Sequence, residues 1–444
     1  MIQTEAMSPT SRTEGADLSL EIIVLLIFGL FMALFGLLLL PIQRGALPYA
    51  LDSTHGLFLV LLALQAITLG KTPFGDFRRS WLLVALGAGV AVVGMIGSFI
   101  PGLLREPLRL LVGFVLMAGG LTLLLGLLVA RDKARLWLRG PAPLRHLTLA
   151  AGLVYGLALV AGLVTLFPGL LAQSDTAILL FAFGSSFFYL AWCLREVRRH
   201  FPFRLPAKHE EAASGTDRAE PPIGLSLMLS HLQDDASLSL APAFIFLLAV
   251  LLSLLGILLV PVGLGLMPFS PDGQLGLLLV LMAIQMLTLG ETPAGRFQRS
   301  GWLVAAGLGF AGAGIVACIV PGVLTGSLQI LLGVLNLGGG LILLAGRLRV
   351  IEWRRLATGT ASQPLAPPMP APLRKLAVIQ ILLHLVSIGF GLSMLLPGVL
   401  PLPAISAILI LNGALMFQLA LILRQLDGAP KGSGPEPGMA AGSA

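Results

Sequence analysis

About a dozen apolar runs decide what this chain can fold into, because a helix needs roughly 20 apolar residues to cross the hydrocarbon of a bilayer. They lie at 21–40, 54–70, 81–100, 108–130, 147–167 and 176–194, and again at 242–260, 274–290, 301–320, 328–346, 376–396 and 404–423. The runs are continuous rather than alternating, which excludes a membrane β-barrel. Charged residues make up 11% of the chain, against about 25% in a soluble globular domain. The pattern predicts an all-α polytopic membrane protein with about 12 transmembrane helices. The runs at 54–70 and 274–290 are short, so they must stand nearly upright or thin the bilayer locally.

The chain also repeats itself. QAITLGKTPFGDFRRS at 65–80 returns as QMLTLGETPAGRFQRS at 285–300, with ten of sixteen positions identical at an offset of 220. That offset holds from Gly36/Gly256 through Pro101/Pro321 to Gly113/Gly333. A second offset, 229, relates Arg145, Pro168, Gly169 and Arg195 to Arg374, Pro397, Gly398 and Arg424. Repetition of this length predicts one six-helix unit built twice. The change of offset falls in the Pro/Ala-rich stretch 356–373, which reads as a loop insertion rather than a span. The expected divisions are a polar segment 1–20, a first repeat 21–200, a linker 201–240, a second repeat 241–426 and a Gly/Pro/Ser tail 427–444 with no reason to fold. Within the linker, 223–232 has the apolar spacing of a short interfacial helix.

The first, third and fifth helices of each half end alike, at Pro41, Pro101, Pro168, Pro261, Pro321 and Pro397. Proline lacks an N–H and biases its predecessor away from the helical region, and a following glycine permits a left-handed exit. Each proline is therefore expected to stop its helix, giving three helical hairpins per half. Either a two-helix unit was repeated, or the endings converged, since Pro and Gly end many helices.

Basic residues set the orientation. Lys71, Arg78 and Arg79 follow the second run and Arg131, Lys133, Arg135 and Arg139 the fourth, whereas the loops after runs five, seven, nine and eleven carry no Lys or Arg. This bias predicts even-numbered loops and both termini in the cytoplasm, and hence parallel repeats. It also accounts for the net charge of +7 without nucleic acid. The acidic, polar N-terminus is unlike a secretory n-region, so the first run is expected to stay in the mature protein.

The glycine-spaced helix, Pro-Gly, glycine-spaced helix pattern is best seen in IGSFIPGLLREPLRLLVGFVLMAGGLTLLLG and GIVACIVPGVLTGSLQILLGVLNLGGGLILLAG. It resembles the HdeD-type family of bacterial acid-resistance membrane proteins, which look like three such hairpins in one six-span unit. The resemblance implies a fused pair of such units in a bacterial inner membrane and carries no catalytic motif. The LGxTPxGxFxRS loop is not part of it.

Polar groups at membrane depth are where chemistry is to be sought. The middles of the spans hold no Asp or Glu, which counts against a proton- or sodium-coupled carrier and leaves a facilitator for a neutral solute open. Gln65 and Gln285 occur in both halves, each followed by a threonine one turn on, Thr68 and Thr288. They read either as solute-binding amides on a central cavity or as interhelical hydrogen bonds that glue helices. In the second half alone Gln380, His384 and Ser387 share a stripe, with Asn412 and Asn336 on neighbouring helices; their first-half counterparts on the stripe are Ala151, Tyr155 and Ala158. A lone His is a weak metal or catalytic signal, so a site here would belong to the second half. Cys193 and Cys318 sit in apolar runs and read as small hydrophobic residues. Arg79 and Arg299, in the repeated loop, fall at headgroup height and are candidate lipid-phosphate contacts, or simply part of a tight turn. The two copies of that loop exchange charge, Lys71 for Glu291 and Asp76 for Arg296, which reads either as drift on separate solvated loops or as pairing of the loops across a pseudo-two-fold axis.

These features predict no catalytic, metal or cofactor site and membrane lipids as partners. The expected function is that of a non-enzymatic envelope or stress-related membrane protein. The alternative is a facilitator or transporter of a small neutral or apolar solute on a six-plus-six plan.

Overall fold

In the computed structural model the described residues are 20–68, 81–129, 141–200, 240–289, 291–292, 295–296, 301–359 and 371–428. They form twelve helices: α1 (Leu20–Gln43), α2 (Leu51–Thr68), α3 (Trp81–Phe99), α4 (Arg105–Val129), α5 (Ala142–Leu166), α6 (Gln173–His200), α7 (Leu240–Gly263), α8 (Pro271–Leu289), α9 (Gly301–Ile319), α10 (Thr325–Gly359), α11 (Ala371–Leu395) and α12 (Leu402–Gly428). A two-residue antiparallel ladder, β1 (Glu291–Thr292) with β2 (Gly295–Arg296), closes the turn after α8. Nine of the described helices are long and apolar enough to cross a bilayer, and 51–67, 85–99 and 271–287 are shorter apolar helices. The chain is thus an integral membrane protein by helix length and composition. Segments 1–19, 201–239 and 429–444, expected as polar segment, linker and tail, lie outside the described residues. At the Pro/Ala-rich stretch, helix persists to Gly359 and resumes at Ala371, so the expected loop shrinks to 360–370, also outside them.

Four of the six prolines act as expected. α3, α5, α9 and α11 end two residues before Pro101, Pro168, Pro321 and Pro397, and the next glycine is left-handed, with φ of 85°, 98°, 83° and 90°. Pro41 and Pro261 do not stop their helices; they lie inside α1 and α7. The terminator there is a Schellman motif on a left-handed glycine: Gly45 N–H donates to Ile42 O at 3.0 Å and Ala46 N–H to Pro41 O at 3.0 Å. Gly265 and Leu266 repeat it on Val262 and Pro261.

The tight helix pairs are also not the expected hairpins. α2 packs on α3, α4 on α5, and α6 closes back on α1; α8/α9, α10/α11 and α12/α7 do the same. Glycine explains the choice of partner, because it lets backbones meet. A Cβ on Gly56 would stand 2.3 Å from Gly94 O, and one on Gly276 would stand 2.5 Å from Gly314 O. Gly36 meets Phe181 N and Ala177 O, while Gly256 meets Ile410 N and Ser406 O. Contacts therefore recur at both sequence offsets.

The two halves share one hydrophobic core. The short helices α2 and α8 are its centre: Leu57, Leu59, Leu277 and Val280 are fully buried. A helix apolar all round belongs inside a bundle, which explains why these two need not match the bilayer thickness alone. α1 contacts α8 and α9, while α7 contacts α2 and α3, so the interface between halves is reciprocal. At the end carrying the Pro-Gly turns it is tied by Ala50 N–H to Ile319 O and Ser270 N–H to Phe99 O, both at 3.0 Å.

In the repeated loop the ladder sets Glu291 opposite Arg296. Lys71 and Asp76 lie outside the described residues, as do Arg79 and Arg299, so neither pairing across an axis nor lipid contact is described. Asp272 is 8% exposed in the first turn of α8 and accepts a hydrogen bond from Thr325 Oγ1.

Candidate functional site

Most polar positions singled out in the second half converge. α7, α8, α10, α11 and α12 surround a cavity of about 290 Å³ whose lining includes Gln285, Asn336, Gln380, His384, Ser387 and Asn412. Asn412 lies ten residues into α12 and Asn336 eleven into α10, so at 1.5 Å per residue both stand about 15 Å from the Pro-Gly end. That is the mid-depth of a bilayer of about 30 Å.

The stripe on α11 works because i, i+4 and i+7 share one helix face. Ser387 Oγ–H is 3.0 Å from Asn336 O and 3.2 Å from Asn336 Oδ1, so one hydroxyl proton is shared between two acceptors. Asn336 Nδ2 donates back to Leu332 O at 2.8 Å. At one end of the stripe Arg347 Nη2 donates to Gln380 Oε1. The rest of the wall is Leu, Ile, Met, Gly340 and Phe390, and no carboxylate is among the described residues lining it. The arrangement offers amide, hydroxyl and imidazole groups on one side of an apolar chamber. It suits a small molecule with a polar end and an apolar body.

The first half fills the same volume. At offsets 220 and 229, Leu248, Leu278, Asn412 and Met416 answer to Phe28, Phe58, Phe183 and Phe187. Those four rings are buried and in mutual contact: Phe28 lies 5.4 Å from Phe58 and 4.9 Å from Phe187, and Phe183 lies 4.9 Å from Phe187, between centroids. Leu116, Ala151 and Ala158, also buried, stand where the second half has Asn336, Gln380 and Ser387. One copy holds an aromatic plug and the other a chamber with polar walls.

Gln285 lines this chamber, and Gln65 is not among the residues that line it. Thr68 is the last residue of α2 and Thr288 the last but one of α8, and their side chains lie outside the described residues. Sequence reading missed Arg347. The signal was there: at offset 220 it replaces Leu127, and it continues the α10 face of Asn336, Gly340 and Leu343. Cys193 and Cys318 are free and buried, and the described residues contain no group of His, Cys, Asp or Glu that would hold a metal ion. The chain matches no protein-family model, no curated protein and no solved structure.

Proposed function

We propose that this chain is a non-enzymatic protein of a bacterial plasma membrane, built as two parallel six-helix repeats with both termini cytoplasmic, and that its second repeat binds a small solute at mid-depth. Of the envelope and facilitator readings, the facilitator is favoured by a specific observation: the polar positions present only in the second copy line one chamber, while aromatic rings fill that place in the first. Polar residues recruited only as interhelical glue would leave no such volume. The parallel duplication is supported by the reciprocal bonds Ala50–Ile319 and Ser270–Phe99 and by glycine contacts recurring at both offsets. The orientation rests on the Lys/Arg bias.

Water access tests it. In a background with Cys193 and Cys318 replaced, Ser387→Cys in proteoliposomes should react with a small water-soluble methanethiosulfonate, and its counterpart Ala158→Cys should not. Adding Asn412→Phe to Ser387→Cys should block the reaction. Equal protection at both positions would mean dry packing in both halves and would return the protein to the envelope reading.

A further inference from the structure

The lack of carboxylates in the spans argues for an uncharged solute, and Arg347 changes the sign of that argument. We infer that the chamber of the second half selects a small monocarboxylate over its neutral and cationic analogues, with Arg347 as the residue that sets this preference. The inference rests on the solute-pocket reading above.

Arg347 lies 22 residues into α10, about 33 Å from the Pro-Gly end, which puts its backbone at the far surface of the bilayer. Side chains on a helix lean toward its N-terminus, so a long one there reaches back toward Leu343 and the chamber. It does so: the guanidinium donates to Gln380 Oε1 on the chamber wall. The charge arrives with the polar wall. The first half has Leu127 and Ala151 at these two places, beside a plugged volume.

A carboxylate taken into an apolar chamber is costly unless it is paired and hydrogen-bonded. Arg347 supplies a planar fork that fits it in bidentate fashion, and the Gln380 amide beside it supplies further donors. With no acid among the described lining residues, nothing in the wall repels an anion or compensates an ammonium ion. The carboxylate would sit at the Arg347–Gln380 end with its alkyl chain among the leucines. A volume of about 290 Å³ holds about ten waters, which sets the size at a short-chain acid. An arginine serving only lipid headgroups would have no such effect on solute choice.

The test is equilibrium binding of hexanoate, hexanamide and hexylamine to the full chain in phosphatidylcholine nanodiscs at neutral pH, because the protonated acid crosses bilayers unaided and would blur an uptake assay. Hexanoate should bind about fivefold or more tighter than hexanamide, and hexylamine weakest. Arg347→Gln should erase the difference by weakening hexanoate alone, and Arg347→Lys should keep part of it. Equal affinity for acid and amide, or equal loss of both in Arg347→Gln, overturns the charge selection while Asn412→Phe-sensitive amide binding keeps the pocket. Binding of none of the three overturns both. If Arg347→Gln does not fold, the wild-type ranking alone decides.

Discussion

Ala50 donates its backbone N–H to the carbonyl of Ile319 at 3.0 Å, and Ser270 does the same to Phe99. Both residues of the first pair have their counterparts in the second at an offset of 220, with the roles of the halves reversed. Two helix ends thus clasp two loop ends, as in a symmetric dimer held within one chain. Next to this clasp a Cβ on Gly273 would stand 2.1 Å from Ser98 O, whereas one on Gly326 would meet nothing within 4 Å. Gly273→Val should therefore lower stability in detergent by about 1–3 kcal/mol, and Gly326→Ala by far less, in thermal or denaturant unfolding. Equal effects would deny that the halves are locked at this point.

The turn after α8 carries its own charge test. Glu291 faces Arg296 across the ladder, and the other copy has Lys at 71 and Asp at 76, the same opposite-sign pair turned round. If the exchange preserves an opposite-sign pair within one turn, a charge reversal at one position should be repaired by the reverse change at the other. Glu291→Lys should cost about 0.2–1 kcal/mol, and the double variant Glu291→Lys/Arg296→Asp should recover most of it. A double variant no better than the single one would remove this explanation.

The plug and the chamber should respond in opposite ways to exchange of their residues. Phe183 is 1% exposed among other rings, so Phe183→Ala should cost about 3–5 kcal/mol. Asn412→Phe, placed in a chamber with room for it, should leave the unfolding midpoint unchanged or raise it. Matching losses at the two positions would show that the second half is packed as closely as the first.

Orientation can be read by labelling single cysteines from outside intact cells. Leu266, 72% exposed in the loop after α7, is a better outer reporter than the buried Asp272. Leu266→Cys should label and Ser433→Cys should not; the reverse pattern would invert the protein and put the Arg347 end of the chamber outside.

Much of this was legible in the chain because it depends on local rules. A run of apolar residues forms a helix wherever it lies, and a left-handed glycine turn needs only its own few residues. Repetition and the polar stripe of α11 are likewise properties of spacing. Pro41 and Pro261 show the limit even here, since a Schellman motif three or four residues on, rather than the proline, ends the helix. Which helices pair was not legible: Gly29 on Gly184 and Gly56 on Gly94 are each a close fit, but glycines are frequent enough that spacing alone does not choose the partner. The chamber depended on tertiary structure most of all. Gln285, Asn336, Gln380 and Asn412 come from four helices, and only their crossing decides whether they meet one another as glue or stand around a space. That space exists because leucine, asparagine and methionine take up less room than the four phenylalanines of the other half, a difference of volume that gains meaning only once the walls are in place.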